Sequence, residues 1–193
     1  MSKNQGYGDV KQWNWTGRTD IATVGVDIDG VVKLCPFTVD TSLNMEYLSF
    51  EFTYSVANFG FWSINLHIGI YKAMKGIGGT VGWLELVHQK IFNWTGFGGI
   101  GTPVVVYDGS TATSATAIGL ETIVDGAYYW AVLATYTGEA PLAITTTFNC
   151  QTIFPRMGAY LQANLTGQTS LPTTITKWSN LTQVRLPRIS GIF

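Results

Sequence analysis

The sequence predicts an all-β fold of antiparallel strands closed as a sandwich or a barrel, on three observations. Apolar residues recur with a period of two, glycine-bearing turns separate the runs, and charge is scarce. Successive side chains of a strand point to opposite faces, so apolar residues at alternate positions give one buried and one wetter face. Charged residues make up 12% of the chain, about half the roughly 25% of an ordinary soluble domain. A surface so short of charge is either rich in Ser, Thr, Asn and Gln or covered by neighbouring chains.

Taken in order, residues 1–20 read as an extended N-terminal arm before a single domain over 21–193. The arm is polar, holds Gly6, Gly8 and Gly17, and carries Trp13 and Trp15, which face the same way in an extended chain. Those two tryptophans either anchor the arm on a neighbouring subunit or pack on their own domain. A strand is expected at 31–39. Between 48 and 56, Leu48, Phe50, Phe52, Tyr54 and Val56 alternate with Ser49, Glu51, Thr53 and Ser55. Trp62, Ile64, Leu66, Ile68 and Ile70 then alternate with Ser63, Asn65, His67, Gly69 and Tyr71. Asn58, Phe59 and Gly60 lie between these two strands and suit a hairpin.

Residues 81–92 fit two periods. Leu84, Val87, His88 and Ile91 would share a helical face, but flanking glycines and aromatics favour a strand. Further strands are expected at 104–107, 117–124, 127–136, 142–148 and 182–189. Asp108-Gly109, Asp125-Gly126 and Thr137-Gly138-Glu139 supply turns, since glycine takes positive φ at little cost.

Bulk charge argues against nucleic acid, at a net −1 and pI near 6.1. The twelve acidic residues all lie at or before Glu139, and beyond it stand only Arg156, Lys177, Arg185 and Arg188. Four scattered charges are too sparse for a phosphate-binding surface; they fit an acidic protein patch or simply hold their loops in water. The uncharged stretches 52–71, 91–107 and 157–176 are broken by polar residues, glycines or prolines, so none is a membrane span. The N-terminus has no apolar core of a signal peptide. Synthesis in a reducing cytoplasm is expected, with Cys35 and Cys150 as buried free thiols.

No catalytic constellation stands out, and the chain reads as a non-enzyme. Its two histidines, His67 and His88, have no elbow serine, and His67 falls on the wetter phase of its strand. No pair of histidines or cysteines has zinc spacing, and Gly76, Gly78 and Gly79 lack a phosphate-binding lysine. Asp27-Ile28-Asp29-Gly30 is a fragment of a calcium loop without its remaining ligands, and reads as a solvated turn. No cofactor or metal is expected. Four Asn-x-Thr triplets, at Asn14, Asn93, Asn164 and Asn180, read as chance. Seven Trp and nine Tyr raise sugar binding as a second class of function, with Tyr47, Tyr71, Trp94 and Trp178 as candidate platforms.

Several local patterns occur in a telling order. They are Leu34-Cys35-Pro36-Phe37-Thr38-Val39, Tyr47-Leu48-Ser49-Phe50, Ile68-Gly69-Ile70-Tyr71 and Asp125-Gly126-Ala127-Tyr128-Tyr129-Trp130-Ala131-Val132. Leu171-Pro172 and Leu186-Pro187-Arg188-Ile189 follow. Over 21–193 this series resembles the β-sandwich domain of bacteriophage tail-fibre, head-fibre and capsid-decoration proteins, with Asp125 where the pattern has Pro. The resemblance implies a jelly-roll-like sandwich and a structural role in the virion, after synthesis in the bacterial host cytoplasm. It also implies assembly with other virion proteins and a homo-oligomer, which could be a trimer. Trp13 and Trp15 are the expected assembly anchors; the alternative is a head that binds a host surface glycan. It carries over no catalytic residue.

Overall fold

The computed structural model describes residues 12–13, 23–39, 42–57, 59–75, 81–98, 100–107, 116–138, 143–153, 161–162, 165–176, 179–180, 184–187 and 189–192. Within them the chain is all-β, and every ladder between strands is antiparallel. The pairings nest. β2 (Thr23–Asp27) pairs with β11 (Ala143–Ile153), and β3 (Lys33–Val39) with β10 (Gly126–Gly138). β4 (Leu43–Phe50) and β5 (Phe52–Ala57) pair with β9 (Thr116–Ile123) and β8 (Ile100–Tyr107) respectively. Innermost, β6 (Phe61–Lys75) pairs with β7 (Val81–Phe97). First with last, working inwards, is the signature of one long hairpin rolled up, which is a jelly roll.

Two more ladders, β6 with β10 and β5 with β11, join the rolled pairs into layers. One layer reads β7-β6-β10-β3 and a second β11-β5-β8, while β4 and β9 pair in a separate sheet. Near the C-terminus β15 (Val184–Pro187) pairs with β11, and β16 (Ile189–Ile192) pairs with β4. From the arm, β1 (Gln12–Trp13) lies on β16, with Gln12 opposite Ile192 and Trp13 opposite Gly191. The remaining short strands are β12 (Leu161–Gln162), β13 (Thr174–Ile175) and β14 (Ser179–Asn180), where β12 pairs with β14 and β13 with β7.

The two-residue alternation builds the core between these layers. Trp62, Ile64, Leu66, Ile68 and Ile70 of β6 meet Phe52, Tyr54 and Val56 of β5, with Tyr128, Trp130, Val132 and Ala134 of β10. Phe37 stacks on Trp130 at 5.0 Å between ring centroids. Each such side chain removed from water contributes about 1.5–3 kcal/mol. Two polar atoms in this interior, Trp130 Nε1 and Thr146 Oγ1, have no hydrogen-bond partner among the described residues.

Residues 81–92 form strand, as the flanking glycines and aromatics suggest, and the strand runs on to Phe97. The expected hairpin at Asn58–Gly60 does not form. β5 and β6 belong to different layers, and the connection crosses between them. Both strands present their apolar phase to the same core, and facing one another across it buries both. A short turn-rich link is compatible with either geometry, so only the distant partners decide. Asp27–Gly30 turns as expected, with the Val31 N–H on Ile28 O at 3.2 Å, but the turn is tied into the fold. Ile28 is fully buried, and Gly30, at φ 60°, donates its N–H to Ala134 O at 2.8 Å. Gly30 O accepts from the Gln168 N–H at 3.0 Å. That backbone conformation suits glycine, and it ties the turn to β10 and to the later segment.

Candidate functional site

Two different surfaces cover the outer face of the β7-β6-β10-β3 layer. Residues 165–176 lie across one half as a strap. Leu171 and Ile175 pack there with Val32, Leu34, Tyr71, Leu84, Tyr129 and Leu133 in a second buried cluster. Gly69 makes room for the strap, since a Cβ on it would stand 2.6 Å from Leu171 Cδ1. Tyr71 donates its hydroxyl to Pro172 O at 2.5 Å, and the Leu86 N–H reaches Thr173 O at 2.9 Å. Burial raises the pKa of both the Tyr71 and Tyr129 hydroxyls, that of Tyr71 well above its usual value. Both are neutral.

The other half is open and graded from polar to aromatic. His67 lies at its inner end, on the phase expected to be wetter, yet it is only 5% exposed. Its Nδ1 accepts from Gln89 Nε2 at 3.1 Å, which leaves the proton on Nε2, 3.3 Å from Thr135 Oγ1. Burial lowers its pKa. With both ring nitrogens occupied, His67 is built as a packed polar residue rather than a base. Next along, Asn93 Nδ2 donates to Asn65 Oδ1 at 2.7 Å and to Ser63 Oγ at 3.0 Å.

Beyond this amide row stand three exposed aromatics. Phe61 lies opposite Phe97 across the β6–β7 ladder, with ring centroids 5.6 Å apart, and Phe59 meets Phe97 edge-on at 4.6 Å. Phe59, Phe61 and Phe97 are 75, 60 and 61% exposed, and Ile91, opposite His67, is 50% exposed. Trp62 braces the site from the core side. Its indole covers Gly96 and donates Nε1–H to Gly98 O at 3.0 Å. Among the described residues only a short strand lies along the far edge of β7. β13 pairs only with Leu84 and Glu85, and past Leu86 no strand lies beside β7 among the described residues.

The expected site residues fare differently. Trp13 contributes backbone to β1, on the edge of its own chain's sheet, while its side chain and all of Trp15 lie outside the described residues. Of the candidate sugar platforms, Tyr71 is fully buried and Trp94 is half-buried, stacked at 5.6 Å on Phe52. Neither offers a free ring face. The Tyr47 side chain and Trp178 lie outside the described residues. The residues that do form the open patch, Phe59, Phe61, Ile91 and Phe97, were not singled out as site residues. A signal existed: Phe61 sits on the polar phase of its strand, with Ser63, Asn65 and His67, where a large apolar side chain has no core to enter.

Among the described residues no group of three or more His, Cys, Asp or Glu side chains could hold a metal ion, and no helix is long and apolar enough to cross a membrane. No protein-family model, no curated protein and no solved structure matches this chain. The arrangement offers a hydrogen-bonded amide row and an exposed aromatic cluster beside a strand edge that no other strand covers past Leu86 among the described residues.

Proposed function

We propose that this chain is a structural protein of a bacteriophage particle, of fibre or capsid-decoration type, that works by assembling with other protein chains. The observation that carries assembly is the exposed cluster of Phe59, Phe61 and Phe97 on a chain with little charge. At about 200 Å² per ring, their exposures leave roughly 400 Å² of aromatic surface, already comparable with the largest patch of a typical monomer. The attribution to a phage particle rests on the ordered sequence resemblance over 21–193.

Co-sedimentation of the purified chain with phage particles that lack it tests this reading. Saturable binding is expected, and a chain that stays in the supernatant at every concentration refutes it. Deleting residues 1–18 removes β1, which lies at the edge of its sheet. If Trp13 and Trp15 are anchors, that truncated chain folds but no longer co-sediments.

A sugar-binding head is the second reading, favoured by the exposed amides of Asn65 and Asn93 beside Phe61 and Phe97. Calorimetry with host surface polysaccharide separates the two. A saturable heat that disappears in Asn93→Ala supports the sugar reading; no heat removes it.

A further inference from the structure

We infer that the edge of β7 past Gln89, beside which no strand lies among the described residues, is the contact through which two copies of this chain join, antiparallel, about a two-fold axis at Trp94. This rests on the reading of the chain as an assembling protein and names the surface it uses. A long, open edge strand is a template for pairing with another chain, and proteins that stay monomeric blunt such edges with proline, repeated charge or a covering loop. From 89 to 97 this edge has no proline, and Lys90 is its one charge.

The residues select the register. When a strand pairs with its own copy about a two-fold axis, positions equally distant from the centre meet on the same face. Centring on Trp94 sets Ile91 of each copy opposite Phe97 of the other. These are the two most exposed apolar residues of the strand, and an aromatic paired with a β-branched residue is a favourable cross-strand combination. The same register sets Asn93 opposite Thr95, two side chains that can hydrogen-bond, and Phe92 opposite Gly96. It sets Lys90 opposite Gly98, over which the Phe59 ring lies, since a Cβ there would be 3.3 Å from Phe59 Cε2. Each copy thereby offers an ammonium group to an exposed aromatic ring of the other, an attractive arrangement, and no like charges oppose.

The area is sufficient. Phe59 and Phe97, 75 and 61% exposed, leave about 540 Å² of ring surface in a pair of copies at roughly 200 Å² per ring. That is about half the 1,000 Å² expected of a specific contact. Ile91, Lys90, Asn93, Thr95 and two backbone edges supply the rest.

Two measurements on the full chain test this. Ile91→Cys and Phe97→Cys proteins are mixed, equilibrated and oxidised, beside each variant alone and the unsubstituted chain. A disulfide-linked dimer specific to the mixture is expected, because each new cysteine faces the other position and not itself. Sedimentation equilibrium of Ile91→Lys should show the dimer weakened by at least about 30-fold, the loss typical of a hot-spot residue. Circular dichroism confirms that this half-exposed position leaves the fold intact. A dimer that survives Ile91→Lys, a strict trimer, or a chain monomeric at 100 µM each overturns the edge pairing. None of those three touches co-sedimentation with particles, so failure of this contact is distinguishable from failure of the assembly role.

Discussion

Replacing Gly96 with Ala probes the brace beneath the aromatic patch. A Cβ built on Gly96 would stand 2.4 Å from Trp62 Cζ2 and 2.8 Å from Cε2. Those are rigid ring atoms, so the indole must move. Trp62 is buried, and its Nε1–H is held by Gly98 O at 3.0 Å. Overpacking of this kind costs about 1–3 kcal/mol, and the disturbed hydrogen bond about 1 kcal/mol more. Against that, Ala in a strand gains about 0.5–1 kcal/mol over Gly in backbone entropy. A net loss of about 2 kcal/mol is expected, which at an m-value of about 2 kcal/mol/M lowers the urea midpoint by about 1 M. The double-mutant cycle is the sharper assay. In a Trp62→Ala background the obstruction is gone, and Gly96→Ala should be neutral or slightly stabilising, giving a coupling near 2 kcal/mol. An equal loss in both backgrounds would refute the brace, as would a single-mutant effect below about 0.5 kcal/mol.

Three other outcomes follow from the same geometry. Thr146→Val removes a fully buried hydroxyl that has no partner among the described residues. It should stabilise the protein by about 1 kcal/mol, read as a rise in Tm of about 2–4 °C; a fall in Tm would mean the hydroxyl is bonded. Leu171→Ala leaves a cavity over Gly69 and should loosen the strap before the core. Amide exchange of Leu86, whose N–H bonds Thr173 O, should quicken while β5 and β10 stay protected. Finally, burial lowers the His67 pKa below its ordinary 6.5. The unfolded chain then binds the proton more readily, so this contribution to stability is complete above about pH 6.5 and is lost as pH falls through the lower folded value. Unfolding midpoints at pH 7 and pH 5 should differ more in the parent than in His67→Asn, and identical differences would exclude His67 as the cause.

Packing and pairing were not equally legible in the residues. The alternations at 48–56 and 62–70 mark strand and its core-facing residues, because side-chain direction along a strand is a local property of the backbone. But 48–56, read as one strand, is divided at Glu51 between β4 and β5, which lie in different sheets. The strand at 81–97 was ambiguous, because Leu84, Val87, His88 and Ile91 also fit a helical period. His67 was placed correctly by phase and wrongly by exposure: nothing near it in sequence reveals that Gln89 and Thr135 close over it. Tyr71 likewise sits on the polar phase of its strand, and it takes Leu171 and Pro172, some hundred residues later, to bury it.

By itself, then, the order of amino acids determined the all-β class, the position of the main strands and the side of each that enters the core. Strand propensity and a period of two act over a few residues and need no partner to be read. The three-dimensional fold alone decided that Asn58–Gly60 crosses between layers instead of closing a hairpin, and that the strap seals half of an outer face. It also decided that Phe59, Phe61 and Phe97 converge beside the outer edge of β7. Each of those depends on which distant segment lies alongside, and that is settled by the free energy of burying all the apolar faces at once.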